Sequence, residues 1–282
     1  MAKMWAVVGG VLVVLVAIGA YWALSAPAVT AAVLYVDEGT VEVNTGSGWT
    51  QGSDEMELPA GAQVRTGSGA ASVVLLEGEV MHLEPNTEVT LSEVSENKIK
   101  ILQTLGETWH KVTKISGVST YEVETPNTVA TVRGTEFYVN TGEDDDIAVE
   151  EGEVEAGFVK QPSKKLMVKS KHKMKMQAKL DKMTEEELGD DARVAKFQEK
   201  YIKHLKRIRL REIRKQGKLG KMMMKRYGVT DENMQQYLDD VDEGRQDEDK
   251  AYEQVPGPLK KKVERAYKIT KAIKRAKQRS AQ

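Results

Sequence analysis

The chain contains no cysteine and only four histidines among its 282 residues. The absence of cysteine excludes disulfide bonds, thiolate metal sites and a cysteine nucleophile. The histidines are His82, His110, His172 and His204, and they lack the paired spacing of zinc ligands. No P-loop, dinucleotide-binding, serine-hydrolase or zinc-protease motif occurs. The sequence therefore predicts no cofactor, no metal site and no enzyme activity.

Positive charge is scarce in one half of the chain and abundant in the other. Residues 31–158 hold 24 acidic and 6 basic side chains, a net charge of −18. Residues 159–282 hold 19 acidic and 35 basic side chains, a net charge of +16. This asymmetry predicts two regions that have different partners or that meet each other.

The chain carries one long uncharged run, from Trp5 to Leu24. A helix needs about 20 apolar residues to cross a bilayer. Trp5 stands at one end of the run and Tyr21 and Trp22 at the other, as in the aromatic belts of membrane-spanning helices. The run predicts a single-pass membrane anchor over residues 5–24.

The charges around this run predict its orientation. Lys3 precedes it, and no Lys or Arg follows until Arg65. By the positive-inside rule, residues 1–4 are a cytoplasmic stub, residues 25–32 a linker outside the cytoplasmic (inner or plasma) membrane, and the bulk of the chain is extracytoplasmic. The small residues at Ala26–Ala28 leave open a cleaved signal peptide and a secreted protein, although signal peptides have a shorter apolar core of about 7–15 residues.

Residues 33–180 alternate apolar and polar side chains in short segments separated by glycine-containing turns. Alternation with a period of two is typical of β-strands, and many short strands with such turns favour a closed or two-layer antiparallel domain. The sequence therefore predicts a mainly β protein, with an antiparallel β-sandwich or roll preceded by one transmembrane helix and followed by helices.

Residues 184–282 are basic and show the spacing of amphipathic helices. Thr184–Glu187 has the form of a capping box, which predicts the start of a helix. An apolar stripe follows at helical spacing, formed by Val194, Phe197, Tyr201, Leu205 and Ile208. These residues predict a basic, α-helical C-terminal region.

The most specific motif is TPNTVATVRGTEFYV, over Thr125–Val139. It resembles the signature of the FecR domain family, in which a TP element precedes VRGTEF. Further segments resemble that family's pattern in the same order, namely Gly61–Gly67, Ala71–Gly78, Leu83–Leu91, Gly106–Trp109 and Val149–Val154. The resemblance covers Tyr35–Phe158, and six ordered matches are far more specific than any one of them.

The resemblance implies an all-β extracytoplasmic domain that takes part in signalling. Founding members of the family sense an iron-uptake receptor outside the membrane and pass a signal to a sigma factor inside it. That circuit needs an appreciable cytoplasmic segment, whereas only Met1–Met4 precede the predicted anchor. We therefore expect an outer binding or sensing domain without the sigma-factor circuit.

The VRGTEF segment holds the candidate binding residues Arg133, Gly134, Thr135 and Glu136, and Arg65 is a further candidate. Glycine after Arg133 permits a positive φ or a close backbone approach. A guanidinium forms bidentate bonds to carboxylates. Arg133 therefore either stabilises the contact between neighbouring strands or binds an acidic ligand. Arg65 leaves the same two interpretations open.

The expected partners are the membrane and a protein or cell-surface polymer. The basic region is a solvated helical face, a surface for anionic lipid, polymer or the acidic β-domain, or a nucleic-acid binder. Because no base-reading motif occurs and the predicted topology places this region outside, nucleic acid is not an expected partner. A small-molecule substrate is not expected either, since the sequence carries no enzyme motif. A cytoplasm-facing scaffold or nucleic-acid-binding protein is the alternative class.

Overall fold

The computed structural model describes residues 30–280 apart from 77, 96, 114–118, 190–191, 216–221, 223–224, 226–227, 231 and 256. Within this part of the chain, no helix is both long enough and apolar enough to span a membrane. The predicted anchor, with Trp5, Tyr21 and Trp22, lies outside the described residues. Membrane anchoring therefore stays a prediction.

Most of the described chain is β-structure, which confirms the predicted mainly β class. The strands are β1 Thr30–Glu38, β2 Val41–Asn44, β3 Trp49–Gln51, β4 Met56–Pro59, β5 Gln63–Thr66, β6 Ala70–Leu75, β7 Glu79–Leu83, β8 Glu88–Val94, β9 Lys98–Lys111, β10 Thr120–Glu124, β11 Thr128–Val132, β12 Glu136–Thr141, β13 Asp145–Glu151, β14 Glu153–Phe158, β15 Gln161–Lys169, β16 His172–Gln177 and β17 Lys182–Glu187.

The strands form two sheets that enclose one core. Sheet A has the order β1-β6-β7-β9-β12-β13-β16-β17. Sheet B has the order β3-β2-β5-β8-β9-β10-β11-β14-β15. Strand β9 belongs to both sheets, its first part to sheet B and its last part to sheet A.

Gly106 is the point at which β9 passes from sheet B to sheet A. Leu105 still pairs with β8, whereas Gly106 already pairs with β12. Gly106 has a φ of +85°, and a Cβ there would lie 2.5 Å from the backbone oxygen of Asn86. Only glycine fits this backbone conformation and this close approach.

The prediction of an antiparallel domain is wrong for the strand pair β9–β10. Strand β10 runs parallel to the first half of β9, with Thr120 opposite Lys98. Because β9 leaves sheet B and ends in sheet A, the chain re-enters sheet B from the side on which β9 began. A crossover of this kind makes the two strands parallel.

The core between the sheets follows from the alternating pattern of the strands. In sheet B, apolar positions such as Val41 and Val43 on β2 are buried, whereas their neighbours are more exposed. In sheet A, β6 and β7 are buried at every position. A strand buried on both faces needs a second layer on its outer side.

In the described part of the chain, four α-helices follow the strands: α1 Ala192–Lys215, α2 Met234–Asp242, α3 Glu248–Glu253 and α4 Gly257–Ser280. The predicted stripe of α1 is confirmed, since Phe197, Tyr201, Leu205 and Ile208 are buried and Val194 is partly buried. The predicted helix start at Thr184 is wrong. Thr184 instead lies opposite Lys175 in the pair β16–β17, because ladder bonds there outweigh the local capping signal.

Helices α1 and α4 supply the second layer on sheet A. Tyr35 and Val80 of the sheet pack with Leu205 of α1 and Ile269 and Ile273 of α4 in one buried cluster. We call this contact, between the outer face of sheet A and the helices α1 and α4, the helical seam. The basic region therefore meets the acidic β-domain directly.

Candidate functional site at the helical seam

The VRGTEF segment forms the turn between β11 and β12. Gly134 has a φ of +72°, a left-handed conformation that favours glycine. The hydroxyl of Thr135 donates to the backbone oxygen of Glu153 at 3.1 Å. Arg133 is exposed, and no hydrogen bond or ion pair to its side chain occurs among the described residues. The turn therefore presents Arg133 to solvent, and its binding role stays a prediction.

Glu136, the acid of the same turn, is buried and lies at the centre of a polar network that reaches the surface at Glu151 and Arg279. The ammonium of Lys111 donates to Glu136 and, at 2.8 Å, to Glu151. The amide of Gln198 on α1 donates to the second oxygen of Glu136. Arg279 on α4 pairs with Glu151. This network ties both seam helices to the β-domain through the VRGTEF turn.

The two carboxyl groups of this network have opposite pKa shifts. Burial raises the pKa of Glu136, although Lys111 opposes the shift. Burial would also raise the pKa of Glu151, but Lys111 and Arg279 outweigh it and lower that pKa. Such a divergence is found in acid–base catalytic pairs. Here the Glu136 side chain is 1% exposed and both its oxygens are occupied, so the pair serves as a structural tie.

Arg65 lies in a different part of the structure. Its Nε donates to Glu42 at 2.8 Å across the pair β2–β5, and its guanidinium lies 4.2 Å from the ring centre of Trp49. Strand β5 pairs with β2 and β8 and not with the strands that flank the VRGTEF turn. The structure does not bring Arg65 together with Arg133.

Sequence reasoning missed a second buried polar cluster in the seam. Asp37 of β1 accepts from Ser72 at 2.7 Å, and its two oxygens lie 3.3 Å from His82 Nδ1 and 3.4 Å from His204 Nε2. On its other side, His82 Nε2 is 2.5 Å from the ammonium of Lys200. The two histidines are 122 positions apart, so no spacing rule could have paired them.

The electrostatics of this cluster follow from its burial. Burial would raise the pKa of Asp37, but contacts with His204 and His82 outweigh it and hold the pKa well below its usual range. Burial lowers the pKa of His204 and that of Lys200. Ser72 and Asp37 both face Nδ1 of His82, and Ser72 is fully buried. The cluster therefore lacks the geometry of a hydrolase triad, in which serine and aspartate occupy opposite ring nitrogens.

Aromatic contacts anchor α1 to the sheet. Trp109, from the predicted GETW segment, stacks with Phe197 of α1 at a centroid distance of 5.5 Å and lies 4.9 Å from Tyr138. Tyr35 contacts the ring of His204 at 5.2 Å. Stacked and tilted pairs at these distances add stabilisation beyond that of the area they bury.

Two adjoining clefts open beside the VRGTEF turn, along α4. One has a volume of about 230 Å³ and is lined by Gly134, Lys111 and Arg275, among others. The other has a volume of about 200 Å³. Both share Tyr201 and Ala272, so they form one groove between α4 and the sheet. In the described part of the chain, no group of three or more His, Asp or Glu side chains is placed to hold a metal ion.

This architecture is a two-sheet β-domain carrying a docked helical layer, with its signature turn at the seam. The family model described as FecR protein matches residues 62–155. The chain therefore carries a FecR domain, and the resemblance drawn from the VRGTEF motif is confirmed for this stretch.

The chain also resembles two crystal structures of a candidate anti-sigma factor from Parabacteroides distasonis ATCC 8503. Sequence identity is 19% for one and 18% for the other, and the TM-score is 0.42 for both. The aligned region covers 48% of this chain and 64% of that protein. No curated protein matches the sequence.

Proposed function

We propose that this protein is a membrane-anchored, non-enzymatic binding and sensing protein whose FecR domain faces the outside of the cytoplasmic membrane. The FecR match over residues 62–155 carries the proposal. The apolar run over residues 5–24 and the charges around it support the anchor and the orientation. The ligand class we propose is a protein or a cell-surface polymer.

The chemistry of the seam supports binding rather than catalysis. The ionisable groups Lys111, Glu136 and Glu151 bond to one another, and Asp37 is held by His82 and His204. Groups committed to such pairs stabilise the fold and are not available to a substrate. By contrast, the Arg133 side chain is exposed and has no hydrogen-bond or ion-pair partner among the described residues, so it is accessible to a ligand.

A topology experiment tests the proposal. The full chain with a C-terminal tag is expressed, and protease is added to spheroplasts, in which the outer side of the cytoplasmic membrane is accessible. We expect the tag to be digested and the protein to stay in the membrane fraction. A tag that resists protease until the cells are lysed would instead place the domain in the cytoplasm and overturn the proposed topology.

Intact mass separates the anchored protein from a secreted one. A retained anchor predicts the full mass of the chain. Loss of the residues before about Val29 would show signal cleavage at the Ala26–Ala28 segment and a secreted binding module instead.

A further inference from the structure

The groove beside α4 carries an excess of positive charge. Six basic side chains line its two clefts, namely Lys111, Lys261, Arg265, Lys268, Arg275 and Arg279. Two carboxylates, Glu151 and Glu264, line it as well. The lining therefore has a net charge of +4, although the FecR domain beside it is strongly acidic. We call this surface the α4 groove.

Five of the six cations come from one face of α4. Positions 261, 265, 268, 275 and 279 follow one another by four, three, seven and four residues, and Ala272 occupies the step between 268 and 275. Residues at such spacing lie along one side of a helix. At a rise of 1.5 Å per residue, the row is about 27 Å long. The groove is therefore an extended basic track.

Part of this charge is free to bind. Lys261 and Arg275 make no ion pair with any described residue. Arg279 and Lys111 pair with Glu151. Lys268 pairs with Glu264, and Arg265 pairs with Glu212. A track that keeps one unpaired cation in each cleft attracts an anion without collapsing onto its own carboxylates.

We propose that the α4 groove binds a linear carboxylated polysaccharide. This deepens the proposed function, on which it rests for a ligand outside the cell. A polyuronate carries one carboxylate on every sugar ring, so its charges recur along the chain as the cations recur along α4. The two clefts have volumes of about 230 and 200 Å³, below the range of ~300–1,000 Å³ for small-molecule sites, so each suits one ring of a longer chain.

A single-stranded nucleic acid is the competing polyanion, and the groove suits it less well. Proteins that bind single strands combine basic grooves with exposed aromatic rings on which bases stack. The aromatic residue of this groove is Tyr201, which is 3% exposed. Among its described residues, the groove therefore offers charge without a stacking platform.

The test is a binding titration with the full chain in non-ionic detergent. The probe is a fluorescently labelled oligomer of galacturonic acid, followed by anisotropy at low salt. We expect saturable binding that weakens as salt rises, because surface charges are screened. The double substitution Lys261→Glu/Arg275→Glu is expected to weaken binding about tenfold, since exposed charge pairs contribute up to about 1 kcal/mol each.

A matched control carries the same change in net charge away from the groove. Lys277 lies on α4 but lines neither cleft, about 200° around the helix from Arg275, and Lys160 is exposed between β14 and β15. Lys160→Glu/Lys277→Glu is expected to change affinity by less than about twofold, in keeping with the small energies of exposed charges. Circular dichroism melts verify folding, and Lys261→Ala/Arg275→Ala replaces the charge-reversed pair if that variant unfolds.

Three results would overturn the inference: no binding at low salt, equal loss in both double variants, or binding of single-stranded DNA of equal charge as tight as that of the galacturonate. The titration does not depend on where the protein resides. If the galacturonate does not bind, the result of the topology experiment is unaffected. If the topology proves cytoplasmic, the measured affinity is unaffected.

Discussion

Lys111 is the residue on which the VRGTEF end of the seam depends most, because its ammonium serves two carboxylates at once. We predict that Lys111→Met lowers the free energy of unfolding by about 3 kcal/mol, since removing one partner leaves the buried Glu136 carboxylate uncompensated. Urea denaturation followed by circular dichroism measures this. Adding Glu136→Gln to Lys111→Met should restore part of the lost stability. If Lys111→Met alone is as stable as the unsubstituted protein, or if Glu136→Gln restores nothing, the role given to Lys111 is wrong.

His110 is a second single residue with a predicted effect, here on the pH dependence of folding stability. Its ring is fully buried, contacts Thr108 and Tyr121, and stacks on Phe137. Burial lowers its pKa to about 3, below its ordinary value of 6.5. The unfolded chain therefore binds a proton below pH 6.5 that the folded chain binds only near pH 3, so stability falls as pH falls through this window.

We predict that this residue accounts for a loss of about 3 kcal/mol between pH 7 and pH 4, at 1.36 kcal/mol per pKa unit. His110→Gln should reduce that difference even if it lowers stability at pH 7. Urea midpoints at the two pH values provide the measurement. The same substitution at the partly exposed His172 supplies the control. An unchanged pH dependence of stability in His110→Gln would refute the prediction.

At the scale of elements, α1 is held by its apolar stripe more than by its charges. Phe197 is 2% exposed and stacks on Trp109. We predict that Phe197→Ala lowers stability by about 3 kcal/mol, because truncating a buried aromatic leaves a cavity. Hydrogen exchange should be accelerated by this substitution, relative to the unsubstituted protein, more in the amides of α1 than in those of sheet B. Glu199→Ala, an exposed change on the same helix, should shift stability by less than about 0.5 kcal/mol.

At the scale of the whole molecule, opposite charges hold the two regions together at their rim. Arg207 and Arg211 of α1 pair with Asp54 and Glu57 of the acidic β-domain at 3.3 and 2.7 Å, respectively. These pairs are partly exposed, so salt screens them. We predict that added sodium chloride lowers the unfolding free energy by about 1 kcal/mol. Arg207→Gln/Arg211→Gln should flatten this salt dependence, and equal slopes would show that the pairs contribute nothing.

Local patterns in the sequence were enough to predict the β-class, the FecR resemblance and the buried stripe of α1. Period-2 alternation and glycine turns reflect the geometry of strands, and the three- and four-residue spacing reflects that of helices. The same reasoning failed at Thr184–Glu187, where a capping pattern lies in β17, and at β10, which runs parallel to β9. In both cases pairing with the preceding strand outweighed the local signal.

The sequence by itself determined most of the elements, their apolar faces and the opposite charges of the two regions, because each follows from neighbours along the chain. Only the tertiary structure decided that the basic helices cover sheet A, that Asp37 meets His204, and that Glu136 meets Gln198. Those contacts join residues 62 to 167 positions apart, and burial on both sides fixes them. No local spacing encodes such contacts, so they emerge only when the two layers pack.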